Sequence, residues 1–274
     1  MIQRLRGTLL AVLLGVASTA AAASVPLISI VIDDLGDNWN EGLSAIDLPG
    51  PVACAFLPES PHTRRLAERA HTARKEILVH LPLEPAAGKA HPMALSAQQA
   101  ATDRSDRLGL MLAAVPFAVG VNNHQGSLTT ASRGAMHWLM RELSTRGTGY
   151  FVDSMTSADS VAYPLARAYG IPATRRRVFL DHVRGEAETR AQFQRLVRLA
   201  KQNGGALAIG HPYPETLAVL AQILPRIGEY GVELVQPSQL IRRIERQPLL
   251  QPVALRLATA LSPPQPPVSA AAMP

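Results

Sequence analysis

The sequence predicts an α/β protein whose parallel sheet curls into a closed (β/α) barrel. Three observations point there. Eight short runs rich in apolar and β-branched residues, at 27–32, 52–57, 76–81, 118–121, 149–152, 177–180, 206–209 and 232–235, alternate with helical patterns. Most of these runs are continuously apolar, as strands covered on both faces are, instead of alternating inside and outside. No glycine-rich loop follows the first run, which weakens an open nucleotide-binding sheet as the alternative.

Taken in order, the chain opens on a segment that reads as an export signal. Arg4 and Arg6 give a basic start, residues 9–16 a short apolar stretch, and Ala21-Ala22-Ala23 a small-residue cleavage site before Ser24. The apolar stretch is short for a membrane span, so stable insertion after cleavage is not expected; an uncleaved anchor is the alternative. A periplasmic or secreted location follows. The folded domain is expected over 24–247. Its helical patterns are clearest at 61–74, 129–146, 186–202 and 214–230, with Pro61 in a first turn and Gly147, Gly204-Gly205 and Gly231 at stops. Residues 248–274 hold seven prolines and one charge, Arg256, and read as a disordered or polyproline-like tail.

Composition excludes several classes. Of 274 residues, 47% are hydrophobic and 18% charged, enough apolar material for a core. Cys54 is the single cysteine, so no internal disulfide or multi-cysteine metal site exists; inside the run 52–57 it reads as a small buried hydrophobe. The net charge is +6, and removing residues 1–23 takes away two arginines and no acid, leaving +4. Lys75, Lys89 and Lys201 are the only lysines, and the arginines are scattered without blocks, so no nucleic-acid partner is expected.

The informative pattern is what stands at the carboxyl end of each run. The first ends in Asp33-Asp34, the third carries His80 and then Glu84, and the fourth ends in Asn122-Asn123-His124. The fifth ends in Asp153-Ser154, the sixth in Asp181-His182 and the seventh in His211. In a barrel these ends converge on one rim, where such folds carry their active sites. Aspartate and neutral histidine bind zinc and similar divalent ions, and an open coordination position lets the ion acidify water and polarise a carbonyl. A carboxylate beside the ion can accept a proton, and a histidine across the site can return one to a leaving group. Each residue also has a plainer reading. Asp33-Asp34 can cap a helix, His80 can be a half-buried sheet residue, His124 can belong to a turn and His211 can simply end a strand.

Ile32-Asp33-Asp34-Leu35-Gly36 resembles the Asp-Asp motif of NodB-type polysaccharide deacetylases. His80-Leu-Pro-Leu-Glu-Pro85, Gly120-Val-Asn-Asn-His-Gln-Gly-Ser127, Phe151-Val-Asp-Ser154, Val178-Phe-Leu-Asp181 and Ile209-Gly-His-Pro212 resemble the divergent branch of that superfamily, in order, over about 26–240. The resemblance implies a NodB-like distorted (β/α) barrel of seven to eight parallel strands. It also implies metal-dependent removal of acetyl groups from a glycan, such as peptidoglycan or another N-acetylated polysaccharide. By the same resemblance Asp33 is the catalytic base, His211 the general acid, and Asp34 and His80 metal ligands, with zinc the expected ion. The family's second histidine, four residues after the first, is replaced here by Glu84. His124 is expected to complete the site in its place, with Glu84 as the fallback. The family's Arg-Pro-Tyr segment is absent, and Asn122 and Asn123 stand in that region. Asp153 and Asp181 are expected to orient histidines.

Trp39, just after Asp37-Asn38, is the candidate sugar-stacking aromatic, with a core position as its alternative. His62, His71, His91 and His137 are given no role, and His182 is left open. Two other functions remain open from sequence: a catalytically silent glycan-binding or regulatory protein on the same scaffold, and a glycosidase using paired carboxylates such as Asp33 and Asp153.

Overall fold

The computed structural model describes residues 25–246, and the expected signal and proline-rich tail lie outside them. Nine parallel strands form one sheet. They are β1 (Leu27–Leu35), β2 (Ala53–Phe56), β3 (Ile77–Leu83), β4 (Gly120–Gln125), β5 (Phe151–Asp153), β6 (Ala173–Arg175), β7 (Val178–Phe179), β8 (Gly205–Gly210) and β9 (Glu233–Leu234). Eight run in the order β6-β5-β4-β3-β2-β1-β8-β7, and β9 pairs with the start of β1. The two edge strands, β6 and β7, are consecutive in sequence. The chain crosses between them in two residues: the Arg176 N–H donates to Asp153 O on β5 (2.9 Å) and the Arg177 N–H to Leu207 O on β8 (2.8 Å). The sheet therefore curls almost shut and leaves one seam, a distorted (β/α) barrel.

Each strand sorts its side chains by period two. On β1, Ile28, Ile30 and Ile32 belong to the large core between sheet and helices, whereas Leu27 and Val31 belong to a smaller core. That smaller core also holds Ala53, Ala55, Leu78, Val152, Leu207 and Ile209, so it is the barrel interior. Leu240 and Ile241 of the last helix join it at the amino ends of the strands and close that end. The opposite end stays open.

Among the described residues there are nine α-helices: α1 (Trp39–Ile46), α2 (Thr63–Thr72), α3 (Ala101–Ala114), α4 (Ser127–Ala131), α5 (Arg133–Thr145), α6 (Ala162–Ala168), α7 (Glu186–Asn203), α8 (Pro214–Ile223) and α9 (Pro237–Arg246), the last of which closes the amino end of the barrel. The helix expected over 129–146 is two. Ser132 leaves helical geometry (ψ 110°) and its hydroxyl accepts the Ala135 N–H to restart as α5. The helix expected over 214–230 tightens at Leu224 into a 3-10 segment, where Pro225 lacks the N–H that an α-helix needs. The sequence pattern did not anticipate β6, α1, α3, α6 or α9. No helix among the described residues is long and apolar enough to cross a membrane. Cys54 is fully buried on the outer face of β2, and burial pushes its thiol up to about 12, so it is an inert packing residue.

Ile30, at the centre of β1, is fully buried. Ile30→Ala is expected to lower unfolding free energy by about 2–5 kcal/mol, read as a lower urea midpoint at unchanged slope.

Candidate active site

The residues that continue the interior faces of the strands toward the open end are polar. Two steps beyond Val31 comes Asp33, beyond Leu78 comes His80, beyond Val152 comes Ser154 and beyond Ile209 comes His211. On β4 the inward pair is Asn122 and His124, because Val121 belongs to the outer core. Asp33, His80 and Asn122 are at most 2% exposed. A cleft of about 200 Å³ opens above them, bordered by Asp33, Asp34, His80, His124, Arg176 and His211 among others. A larger cavity of about 370 Å³ lies at the amino ends of β4 and β5, but Arg146 is the only ionisable residue on its wall.

Asp34 reaches this cleft through a break in β1. By alternation its side chain belongs on the opposite face from Asp33. Its φ is instead +58°, and the pairing with β2 slips between Ile32 and Leu35, a bulge. Left-handed geometry is tolerated by Asp better than by most residues, and a bulge re-aims a side chain. Both carboxylates therefore face His80: its Nε2 lies 3.0 Å from Asp34 Oδ1 and 3.6 Å from Asp33 Oδ2.

Register explains the rest of the cluster. His80 on β3 is paired with Asn122 on β4, so their side chains are lateral neighbours. His80 Nδ1 donates to Asn122 Oδ1 (3.0 Å), and Asn122 Nδ2 donates to Asp33 Oδ1 (2.8 Å). That bond fixes the ring so that Nε2 points at Asp34. His124, two residues further on the same face, places Nδ1 at 2.9 Å from Asp34 Oδ1 and 3.2 Å from His80 Nε2. Asp34 Oδ1, His80 Nε2 and His124 Nδ1 face one point, and they form the one such donor group among the described residues. Two imidazole nitrogens and a carboxylate oxygen, with the second nitrogen of His80 held by an amide, fit a divalent ion with an open position.

Across the cleft, His211 Nδ1 pairs with Asp181 Oδ1 (3.0 Å), and Asp181 Oδ2 accepts the His211 N–H (2.7 Å) and the Thr216 hydroxyl (2.9 Å). Gly210 permits this approach, since a Cβ there would lie 3.4 Å from Asp181 Oδ2 and 3.3 Å from Leu180 and Thr216. His211 Nε2 is 3.7 Å from Asp34 Oδ2.

Charge and burial compete at each group. Burial raises the Asp33 carboxyl above its ordinary value, and the charges of His80 and His211 only partly oppose it. Burial also works to raise Asp34, but the hydrogen bonds from His124 and His80 outweigh it and hold that carboxyl well below the carboxylate range. His80 resists protonation through burial, yet Asp33 and Asp34 lift it from 6.5 to about 9. His211 is raised too, because Asp181 and the two β1 carboxylates outweigh its burial.

Several residues singled out by sequence sit elsewhere. Glu84 is outside the donor group: its backbone N–H bonds to Leu95 O (3.2 Å) and its carbonyl accepts from Leu128 and Thr129, anchoring the end of β3. One of its carboxylate oxygens is buried with no partner. Asp153, expected to orient a histidine, has outer-face parity with Phe151. Its oxygens take the N–H groups of Met155 (2.9 Å) and Tyr163 (3.2 Å) and the Ser160 hydroxyl (2.7 Å). It is not available to pair with Asp33 as a glycosidase would require. Asn123, by contrast, does border the cleft despite its outer parity, and it accepts the Ser154 N–H (2.9 Å), tying the β4 and β5 ends together. Trp39 does not border the cleft; it starts α1, packs on the outer core and lies under Arg65 (4.6 Å). Asn38, not Asp33 or Asp34, caps that helix. The aromatic at the cleft is Phe179, and the cation is Arg176. Phe179 lies in the motif 178–181 but was given no role, and Arg176 was in no motif, although both flank the seam between β6 and β7.

With this geometry in view, comparison with known proteins assigns the chain. The profile of divergent polysaccharide deacetylases matches residues 30–241, and the chain belongs to that family. It is 35% identical over 232 residues to the uncharacterized protein YibQ of Escherichia coli K12, covering 84% of this chain and 71% of that one. An uncharacterized Haemophilus influenzae protein is 34% identical over 216 residues, covering 78% and 76%. The crystal structure of the uncharacterized protein ATU2773 from Agrobacterium tumefaciens C58 superposes with a TM-score of 0.76 at 29% identity, over 80% of this chain and 91% of that one. The distorted barrel is the NodB-like fold of the polysaccharide deacetylases.

Two outcomes follow. Asn122→Ala, which frees the His80 ring, is expected to weaken divalent-metal binding about 10- to 100-fold, and Asp34→Asn to abolish stoichiometric binding, both measured by titration calorimetry. In the metal-free protein, the stabilisation carried by His80 is fully present below about pH 6.5 and is lost as pH rises through about 9. Urea midpoints in chelator should therefore fall across that window, and His80→Gln should flatten the fall.

Proposed function

We propose that the protein is an exported, zinc-dependent hydrolase that removes acetyl groups from an N-acetylated cell-envelope glycan. The observation that carries this reading is the convergence of three parts on one cleft: the donor trio Asp34–His80–His124, the buried carboxyl of Asp33, and the His211–Asp181 pair. Two nitrogens and one oxygen with an open position are a donor set that catalytic zinc accepts. The family and the signal-like residues 1–23 support the glycan and its location.

Asp34, His80 and His124 would hold a divalent ion, which when bound would supply Lewis-acid polarisation of the acetyl carbonyl and acidify water. The other steps belong to side chains. Asp33 Oδ2, the oxygen not engaged by Asn122, is free to accept a proton from the attacking water, and its raised affinity for protons suits that task. Asn122 donates to Asp33 and accepts from His80, so base and ligand are oriented by one amide. His211 holds a proton at Nε2 while Nδ1 is committed to Asp181, and it delivers that proton to the departing amine nitrogen. Acetate and a free amino sugar leave.

The test is acetate release from N-acetylglucosamine oligomers or peptidoglycan by the zinc-loaded chain. Asp33→Asn and His211→Ala are each expected to lower turnover about 10²- to 10⁴-fold while zinc stoichiometry stays near one. Binding of the glycan with no acetate released by the wild type would overturn the hydrolase and leave the silent glycan-binding reading.

A further inference from the structure

Arg176 borders the cleft at the seam where the chain crosses from β6 to β7. Its backbone is pinned to Asp153 O (2.9 Å), and its side chain is pinned as well. Nε donates to Ser154 O (2.6 Å), Nη2 donates to Met155 O (2.7 Å), and Cζ lies 4.7 Å from the Phe179 ring centre. The guanidinium is therefore rigid, half-buried and aimed by four separate contacts.

None of those contacts neutralises it. The partners are two carbonyls and an arene, and among the described residues no carboxylate oxygen lies within 4.0 Å of it. The acids whose charge it feels are Asp33 and Asp153. Asp33 is bound to Asn122 and faces His80, and Asp153 is filled by Met155, Ser160 and Tyr163. Arginine stays charged at any working pH and carries five N–H groups. Only two are used here, and Nη1 makes no hydrogen bond among the described residues. A half-buried, preorganised cation with an open N–H edge is the arrangement that recognises a carboxylate. Purely structural tethering of the 154–155 turn would not require a charge.

We propose that Arg176 is an anion subsite of the cleft and that the glycan bound there carries a sugar carboxylate close to the acetylated position. The inference rests on reading the cleft as the glycan site of a deacetylase. It narrows the substrate class from N-acetylated glycans in general to those that carry a carboxylate. Phe179, stacked under the guanidinium, keeps the fork from rotating away.

The experiment compares three ligands on the zinc-loaded full chain by titration calorimetry, with acetate release followed in parallel. The ligands are a neutral N-acetylglucosamine oligomer, an oligomer alternating N-acetylglucosamine with N-acetylmuramic acid, and the latter with its carboxyls reduced to alcohols. The unreduced acidic oligomer is expected to bind about ten- to hundredfold tighter than its reduced form, and Arg176→Gln to cut that ratio to below about twofold. Equal binding of the reduced and unreduced oligomers by the wild type overturns the proposal without any variant. So does a ratio that survives in Arg176→Gln. A purely structural role for Arg176 would weaken all three ligands alike and leave the ratio intact. Arg176→Lys, which keeps charge but loses the planar fork, is expected to retain folding and lose most of the ratio. A charge preference without acetate release would refute the deacetylase reading alone, whereas acetate release without a charge preference would refute the subsite alone.

Discussion

The site depends on one departure from regular strand geometry, the left-handed turn of the backbone at Asp34 (φ +58°). Two adjacent strand residues point to opposite faces, so a straight β1 would put Asp33 into the barrel and Asp34 into the helix layer. The bulge against β2 places both carboxylates on the cleft side, within 3.6 Å of one imidazole nitrogen. The donor trio then forms without any further distortion. His80 and His124 stand on neighbouring strands, two register steps apart and on the same face. The strain of the turn is small for aspartate, and the hydrogen bonds from His80 and His124 to Asp34 hold it in place.

A second constraint is proton placement. Two of the three cleft histidines have Nδ1 committed outside the donor trio: that of His80 to Asn122 and that of His211 to Asp181. The remaining Nε2 atoms are then left with opposite tasks. That of His80 faces a carboxylate and a second imidazole, where a lone pair is useful, and that of His211 faces the cleft, where a proton is useful. Both committed partners are buried, so the orientation of each ring is enforced by the cost of leaving an amide or a carboxylate unpaired. Closure of the barrel contributes a third element. Because the chain bridges the seam through Arg176 and Arg177, the crossover residue itself becomes a wall of the cleft.

Much of this was legible in the sequence. Continuous apolar runs identify the strands, and the ionisable residues ending them mark the rim. Asp153 was expected to orient a histidine, but it shares a face with Phe151, and only the packed sheet shows that this face is the outer one. Less was legible where elements are short or exposed. β6 is three residues, Ala173–Arg175, and carries no apolar run. The expected helix over 129–146 hides a break at Ser132 that only cap geometry reveals. Trp39 follows a polar pair after β1 and so resembles a rim residue, but α1 turns it onto the outer core.

The sequence by itself determined the strand order of chemistry: which residues end which strands, and which face each one takes while the strand stays regular. Those are local properties, set by period and by residue type. The tertiary structure decided what the strand ends do to each other. It decided that Asp34 breaks alternation and joins Asp33, that His124 and not Glu84 faces the same point as His80, and that an arginine from an unremarked triplet becomes a cleft wall. Each of these depends on register between strands far apart in the chain and on where the curled sheet meets itself, and no local pattern encodes either.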